Sequence, residues 1–181
     1  MLWSLLSEQI VTSEKQIVEI QLNRNLRSEI KVAVKCHFDL PVVVDVPKNL
    51  DDGTPFPTMF WLTCPMYIKK VSTLESHGMV KELDNQLNRN RKLRKLWSKR
   101  QKSYEKERNR KYKSVNNTVS PIGGVGGAVN SIKCLHSHLA DELVTGKNIV
   151  GQIVLENVGG CNCKEPCVVE GTKNDNWRSE W

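Results

Sequence analysis

Six cysteines and four histidines are the residues of this sequence best suited to hold a metal ion or attack a substrate. We single out Cys36, Cys64, Cys134 and His136 as candidate ligands. Three thiolates and one imidazole suit a structural zinc ion, because Zn²⁺ accepts soft sulfur ligands in a tetrahedral arrangement. The spacing is not that of the compact Cys-x-x-Cys pairs of a zinc finger. The same cysteines can also be small apolar core residues or reactive thiols.

The fourth ligand is expected from one of two neighbouring histidines. His136 and His138 are two residues apart, so on a helix they point about 200° away from each other and cannot both face one ion. Cys134 and His138 are instead i, i+4 neighbours on such a helix. We favour His136 as the ligand and expect His138 to be exposed. His37 and His77 are expected at the surface or in turns.

A glycine-rich segment, residues 123–127, precedes the helix expected to present Cys134 and His136. The unpaired amides at a helix N-terminus attract anions and lower the pKa of a nearby thiol. With Cys134 as nucleophile and His136 as base, the arrangement predicts an enzyme acting on a phosphorylated or acyl substrate. The segment lacks the Gly-Lys-Ser/Thr ending of a P-loop, and glycine also serves any tight turn.

A second cysteine cluster lies near the C-terminus, where Cys161, Cys163 and Cys167 follow two glycines. Its spacing allows it to hold a second metal ion or to complete the first site. The alternative is a loosely ordered tail, which is common at chain ends.

Positive charge is concentrated in residues 89–113, which hold 13 Lys+Arg and two acids, a local net of +11 in a chain of net +7. A polyanion such as nucleic acid or polyphosphate is expected to bind there, with a salt-dependent affinity. Trp97, Tyr104 and Tyr112 are interleaved and can stack on bases, or they can pack on the domain as ordinary core aromatics. The residues predicted to contact a polyanion are Arg91, Lys92, Arg94, Lys95, Lys99 and Arg100.

The elements that must position these groups indicate an α+β fold. Residues 30–38 alternate apolar and polar side chains, and residues 42–46, four valines and one aspartate, lie between two prolines, as in strands. Residues 58–63 have no polar interior position, which is typical of a central strand buried on both faces. A small, mainly antiparallel sheet is therefore predicted within residues 30–63.

Helical patterns follow the sheet. They predict helices over residues 66–77, 79–113 and 131–145, the second of them long, basic and mostly solvated. Residues 149–155 are expected to form an edge strand.

The chain has 181 residues, of which 39% are hydrophobic, and this suits one globular domain. We expect that domain over residues 28–158, with 1–27 as a lead-in segment and 159–181 as a cysteine-containing polar tail. No apolar run of about 18 residues occurs, so no membrane span is expected. Nothing indicates export, so a cytoplasmic protein is expected, in whose reducing surroundings cysteines serve as ligands or reactive thiols.

Several short sequence motifs, given below, resemble in their order and spacing those of a bacterial family known as domain of unknown function 501. The most specific is Asp-Gly-Thr-Pro-Phe-Pro-Thr at residues 52–58, followed by Leu-Thr-Cys-Pro at 62–65. Lys35-Cys36, Leu40-Pro41, Ser72-x-Leu-Glu75 and Lys133-Cys-Leu-His136 complete the resemblance, which spans about residues 26–151. Family members often have Cys-Pro-Cys-Gly at residues 36–39 and His at Asp141, where this chain differs. The resemblance implies no established activity.

Two functional hypotheses follow. The first is a cytoplasmic, non-enzymatic protein stabilised by zinc, with its basic helix as the surface that binds a partner or polyanion. The alternative is a thiol-dependent enzyme that uses Cys134 and His136 beside the glycine-rich segment. A structural zinc site leaves no open coordination position and no reactive thiolate, which distinguishes the two.

Overall fold

A computed structural model describes residues 12–111 and 120–177. As the sequence predicts, the described chain has an α+β fold, and none of its helices is both long and apolar enough to cross a bilayer. Its first part forms α1 Glu14–Leu22, β1 Lys31–Lys35, β2 Pro41–Asp45, β3 Phe60–Leu62 and α2 Pro65–Ser76. Its second part forms α3 Met79–Arg89, α4 Arg91–Lys111, α5 Leu135–Thr145, α6 Ile149–Val158, β4 Val168–Val169 and β5 Thr172–Lys173.

The three-stranded sheet is antiparallel in the order β1-β2-β3, which confirms the sheet predicted within residues 30–63. The prediction that residues 58–63 form its central strand is wrong, because β2 is central and β3 lies at an edge. An apolar run reports burial on both faces of a strand and not the number of its neighbours. Phe60 and Leu62 pack in the main core, whereas Trp61 packs in a smaller cluster.

The valines of β2 are divided between these two hydrophobic clusters. Val43 lies in the main core with residues of α2, α5 and α6, whereas Val44 packs with Val18 of α1. Helix α1 begins with a capping box, in which the side chains of Ser13 and Gln16 each accept a bond from the other's backbone amide. The end of the lead-in segment therefore forms a helix that packs against the sheet.

The long helix predicted over residues 79–113 is two helices, so that prediction is wrong. The break falls at Asn90, whose backbone is extended and whose Oδ1 accepts a hydrogen bond from the Leu93 amide at 3.1 Å. Asparagine side chains compete with helical backbone bonds in this way, which favours a new helix start. Residues 112 and 113 of the predicted helix lie outside the described residues.

Residues 149–155, predicted as an edge strand, form helix α6 instead. Asn148 begins this helix, because its side chain accepts a hydrogen bond from the Gly151 amide at 3.0 Å. A short apolar run does not by itself distinguish a strand from a buried helix. The preceding helix α5 begins at Leu135 and not at residue 131. It ends at Thr145 and is capped by Gly146 in the left-handed conformation (φ 62°).

A buried ion pair joins α4 to α5. Arg100 donates from Nε and Nη2 to the two carboxylate oxygens of Asp141, at 2.8 and 2.7 Å. The Asn148 Nδ2 donates to the same carboxylate at 2.8 Å, and its Oδ1 lies 3.0 Å from Nδ1 of His138. The prediction that His138 is exposed is wrong, because its ring is fully buried in this network. Burial lowers the pKa of His138 and favours its neutral form.

Candidate metal centre

Cys134, His136 and Glu75 lie together where the last turn of α2 meets the start of α5. The Cys134 Sγ is 3.8 Å from Nδ1 of His136, and that nitrogen is 3.3 Å from Oε1 of Glu75. The Leu135 amide donates a hydrogen bond of 2.6 Å to the same carboxylate oxygen, which ties Glu75 to α5. The cluster therefore presents one sulfur, one nitrogen and one oxygen within 4.8 Å of one another.

The other ring nitrogen of His136 is held by α2. Nε2 lies 3.2 Å from the Ile68 carbonyl oxygen and 3.2 Å from the Ser72 Oγ. A carbonyl oxygen only accepts, so Nε2 carries a proton whether the ring is charged or neutral, and it is Nδ1 that faces the Cys134 thiol. Metal-bound histidines are oriented in the same way, by donation of the distant N–H to a carbonyl or carboxylate.

The three groups shift one another's pKa values. Burial opposes ionisation of Cys134, but the His136 ring and the Ser137 backbone outweigh it and lower the pKa of the thiol. Burial also opposes a charge on His136, yet contact with Cys134 and Glu75 raises the pKa of the ring to about 10. Despite burial, the His136 ring and the Leu135 amide hold the pKa of Glu75 below its usual range. All three shifts favour the charged forms, which are a thiolate and a carboxylate beside an imidazolium.

Two kinds of chemistry suit this arrangement. A thiolate, an imidazole and a carboxylate are ligands that zinc prefers, and a set of three leaves the fourth tetrahedral position open. When no metal is bound, the same thiolate beside an imidazolium is an activated nucleophile. The geometry therefore supports either a metal centre or a reactive thiol.

A cleft of about 600 Å³ opens beside the centre, and Cys134 and His136 form part of its wall. Arg24 and Lys69 also line it, and the Arg24 guanidinium lies over the Trp61 ring at 4.2 Å from the ring centre. The volume is in the range of small-molecule sites. The main apolar lining residues are Leu22, Phe56, Phe60, Trp61, Leu62 and Ile68.

The glycine-rich segment lies next to the pair, as expected. Gly126 adopts the left-handed conformation (φ 64°), and a side-chain carbon placed there would be 3.8 Å from Cβ of Cys134. Arg108, fully buried, anchors the segment by donating hydrogen bonds to the carbonyl oxygens of Gly123 at 3.0 Å and Pro57 at 2.9 Å. This part of the positive charge of α4 is therefore structural.

Cys36 and Cys64, the other two predicted ligands, do not belong to this group of ligand atoms within 4.8 Å. Cys64 directly precedes α2 and Glu75 is in its last turn, so most of the length of α2, about 18 Å for its 12 residues, separates them. The Cys64 thiol contacts Cys161 of the C-terminal segment instead. The structure thus brings Cys134 and His136 together but not with the other two.

The predicted polyanion-binding residues of α4 do not all face solvent. Arg91, Lys92, Lys95 and Lys99 are exposed, and Arg94 is half-buried. Arg100 is 3% exposed and is held by the buried Asp141 carboxylate. The prediction that Arg100 belongs to an exposed basic surface is therefore wrong. Polyanion binding by the remaining five residues stays a prediction.

The aromatic residues of the basic segment belong to the core. Trp97 and Tyr104 are buried, and the Tyr104 hydroxyl accepts a hydrogen bond from the Met59 amide at 2.6 Å. They are therefore not available to stack on nucleic-acid bases. Tyr112 lies outside the described residues.

Sequence reasoning assigned no ligand role to Glu75 and no orienting role to Ser72. Both stand in the string Ser72-x-Leu-Glu75, and their spacing of three places them on one face of a helix. Their position on one helix face is the signal in the sequence that could have indicated a shared role. Its partner on α5 is distant in the sequence and becomes apparent only when α2 and α5 pack together.

The pattern of a family described as protein of unknown function (DUF501) matches residues 32–156. The matched region includes all three residues of the candidate centre, whereas the C-terminal cysteines lie beyond it. No curated protein and no solved structure matches the chain.

Proposed function

The chain belongs to the DUF501 family of proteins of unknown function, and for this member we propose a zinc-dependent centre that activates water or polarises a bound substrate. Glu75, Cys134 and His136 are the ligands. The observation that carries the proposal is the meeting of three ligand atoms within 4.8 Å beside a cleft. The proposal retains two of the ligands predicted from the sequence and adds Glu75. It replaces a purely structural role by one with an open coordination position.

The ligand set supplies both charge balance and orientation. The thiolate of Cys134 and the carboxylate of Glu75 together neutralise a divalent cation, and His136 is already turned with Nδ1 toward them. Zinc held by three protein ligands lowers the pKa of a bound water to about 7. The expected reaction class is hydrolysis of a carbonyl or phosphoryl compound. A cytoplasmic location belongs to the same proposal, because thiolate ligands persist in a reducing compartment.

The cleft suggests the class of substrate. Aromatic and aliphatic side chains form most of its wall, so an apolar body is favoured in its interior. Arg24 and Lys69 add positive charge to the wall, which favours an anionic group on the same compound. We therefore propose a small amphipathic acid, ester or phosphoester as the substrate.

Zinc content in matched variants tests the centre. Tag-free protein is analysed by elemental mass spectrometry as wild type, Glu75→Gln, Cys134→Ser and His77→Gln, the last an exposed residue that follows α2. We expect Glu75→Gln and Cys134→Ser each to lose one equivalent that His77→Gln retains. Hydrolysis of 4-nitrophenyl acetate or phosphate is expected to stop on chelation and to return with Zn²⁺. Full zinc content in both ligand variants would refute the centre.

A thiol-dependent enzyme is the second candidate, favoured by the lowered pKa of Cys134 beside the raised pKa of His136. In this mechanism the Cys134 thiolate attacks an acyl or phosphoryl group, and the imidazolium gives its proton to the leaving group. The discriminating result is a centre without zinc whose Cys134 is alkylated rapidly by iodoacetamide at neutral pH. His136→Asn is then expected to slow the alkylation about tenfold or more, because the thiolate loses its partner.

A further inference from the structure

Two strand ends meet where β2 begins. The amides of Thr63 and Cys64 both donate to the Val42 carbonyl oxygen, at 2.9 and 3.4 Å, which places Cys64 beside the start of β2. On the other side of β2, the Cys36 amide donates to the Leu40 carbonyl oxygen at 2.9 Å. Cys36 and Cys64 therefore flank β2 at the same end of the sheet.

The segment that follows α6 returns to this end of the sheet. The Gln21 Nε2 donates to the Pro41 carbonyl oxygen at 2.9 Å and also contacts the Cys167 Sγ at 3.5 Å. His37 places its Nε2 2.9 Å from the Cys163 carbonyl oxygen. Two cysteines of the C-terminal segment are thus held beside the first residue of β2.

The thiols are neighbours at this end of the sheet. The Cys161 side chain interacts with those of Cys64 and Cys163, and Cys161 and Cys163 pack against the core cluster that contains Cys64. Among the described residues, no three of these sulfur atoms lie within 4.8 Å of one another. Cys167 lies within electrostatic range of Cys161 and Cys36. All five are free thiols, with Cys64 buried and the others half-buried. Thiols are weak hydrogen-bond partners, so their mutual contact contributes little to stability without a further ligand.

We propose that Cys64, Cys161, Cys163 and Cys167 bind a second zinc ion with a structural role. Rotation of the side chains would bring the four sulfurs around one ion, where four thiolates fill the tetrahedral set and leave no open position. The ion fastens the C-terminal segment, whose β4–β5 hairpin has only two residues in each strand, to the sheet and to the start of α2. The site does not depend on the centre at Cys134, because the two sites share no ligand.

Zinc stoichiometry separates the two sites. Wild type, Cys161→Ser and Cys134→Ser are prepared tag-free in reducing buffer from zinc-supplemented medium and analysed by elemental mass spectrometry. We expect Cys161→Ser to lose one zinc per chain that Cys134→Ser keeps. After Co²⁺ substitution, Cys134→Ser is expected to keep most of the thiolate-to-cobalt absorption and Cys161→Ser to lose most of it. If the Cys134 centre binds no metal, the wild type holds one zinc, which Cys161→Ser still removes.

Equal zinc content in wild type and Cys161→Ser would overturn the second site, as would a wild type that contains no zinc. A measurement on the wild type covers the case in which Cys161→Ser does not fold. Trypsin cleavage after the exposed Lys164 is followed with and without a chelator, and cleavage after Lys95 on α4 is the internal control. We expect chelation to speed cleavage at Lys164 by about tenfold or more while Lys95 is unaffected, because release of the ion frees the segment. An unchanged rate at Lys164 would contradict the proposal.

Discussion

Asp141→Leu should lower the free energy of unfolding by about 3–4 kcal/mol. Arg100 and Asp141 share two hydrogen bonds at 2.7 and 2.8 Å and are 3% and 0% exposed. Removal of one member of a buried ion pair costs about 3–5 kcal/mol, because the other charge stays buried without its partner. Glu107, 3.0 Å from the Arg100 Nη1 and 36% exposed, offsets part of that cost. The lower end of the range is therefore expected.

A double-mutant cycle measures this coupling. Arg100→Met and Asp141→Leu are each expected to be strongly destabilising, and the double variant to be more stable than the sum of the two losses by about 2–3 kcal/mol. Urea unfolding followed by circular dichroism gives the free energies. For a chain of this size, a loss of 3–4 kcal/mol lowers the Tm by about 6–16 °C.

Two matched controls keep the result specific to the buried pair. Glu107→Gln removes the exposed partner and is expected to cost less than about 1 kcal/mol. Lys99→Met changes an exposed charge next to Arg100 and is expected to stay within about 0.5 kcal/mol of wild type. Single losses below about 1 kcal/mol that simply add in the double variant would refute the reasoning.

Three further changes have expected outcomes. Gly151→Ala should destabilise by about 1–3 kcal/mol in thermal unfolding, since its Cβ would lie 2.2 Å from a backbone oxygen of α5, whereas Gly160→Ala, with open space, should be neutral. Ser72→Ala removes a hydroxyl that lies 3.2 Å from Nε2 of His136 and helps to orient this proposed zinc ligand. A zinc competition assay should therefore show about tenfold weaker binding, and unchanged affinity would exclude an orienting role for Ser72. Lys95→Gln with Lys99→Gln should reduce the salt dependence of polyphosphate binding by about two counterions, and binding insensitive to salt would exclude an electrostatic interface.

Local sequence patterns predict most of the fold. The two-residue period of 30–38 and the apolar runs that follow predict the strands, because a strand face is defined by its own neighbours in the sequence. Errors arose where a single side chain decided the outcome. Asn90 divided one helix into two by capping the second, and Asn148 made a helix of an apolar run that suits either structure.

The candidate centre also combines residues that are neighbours in the sequence with residues that only tertiary packing brings together. Cys134 and His136 are two residues apart in the sequence, and their side chains meet because Cys134 precedes α5 with an extended backbone instead of lying inside the helix. Glu75 joins them only because α2 packs along α5. Its carboxylate accepts a hydrogen bond from the amide of Leu135, which lies 60 residues further along the chain. Likewise, Cys64 is far in sequence from Cys161 and meets it only after the C-terminal segment has returned to the sheet.

The sequence also does not determine which charged side chains are exposed and which are buried. The composition of residues 89–113 determined that α4 is basic, but not which of its cations face solvent. Arg100 is buried because packing brings Asp141, 41 residues away, against it, and Arg108 is buried because carbonyl oxygens of two loops converge on its guanidinium. Local periodicity therefore determined the elements and the residue types available for chemistry. Long-range packing alone decided which candidate ligands meet and which charges are buried, because burial and hydrogen bonding in three dimensions select partners that are distant in the sequence.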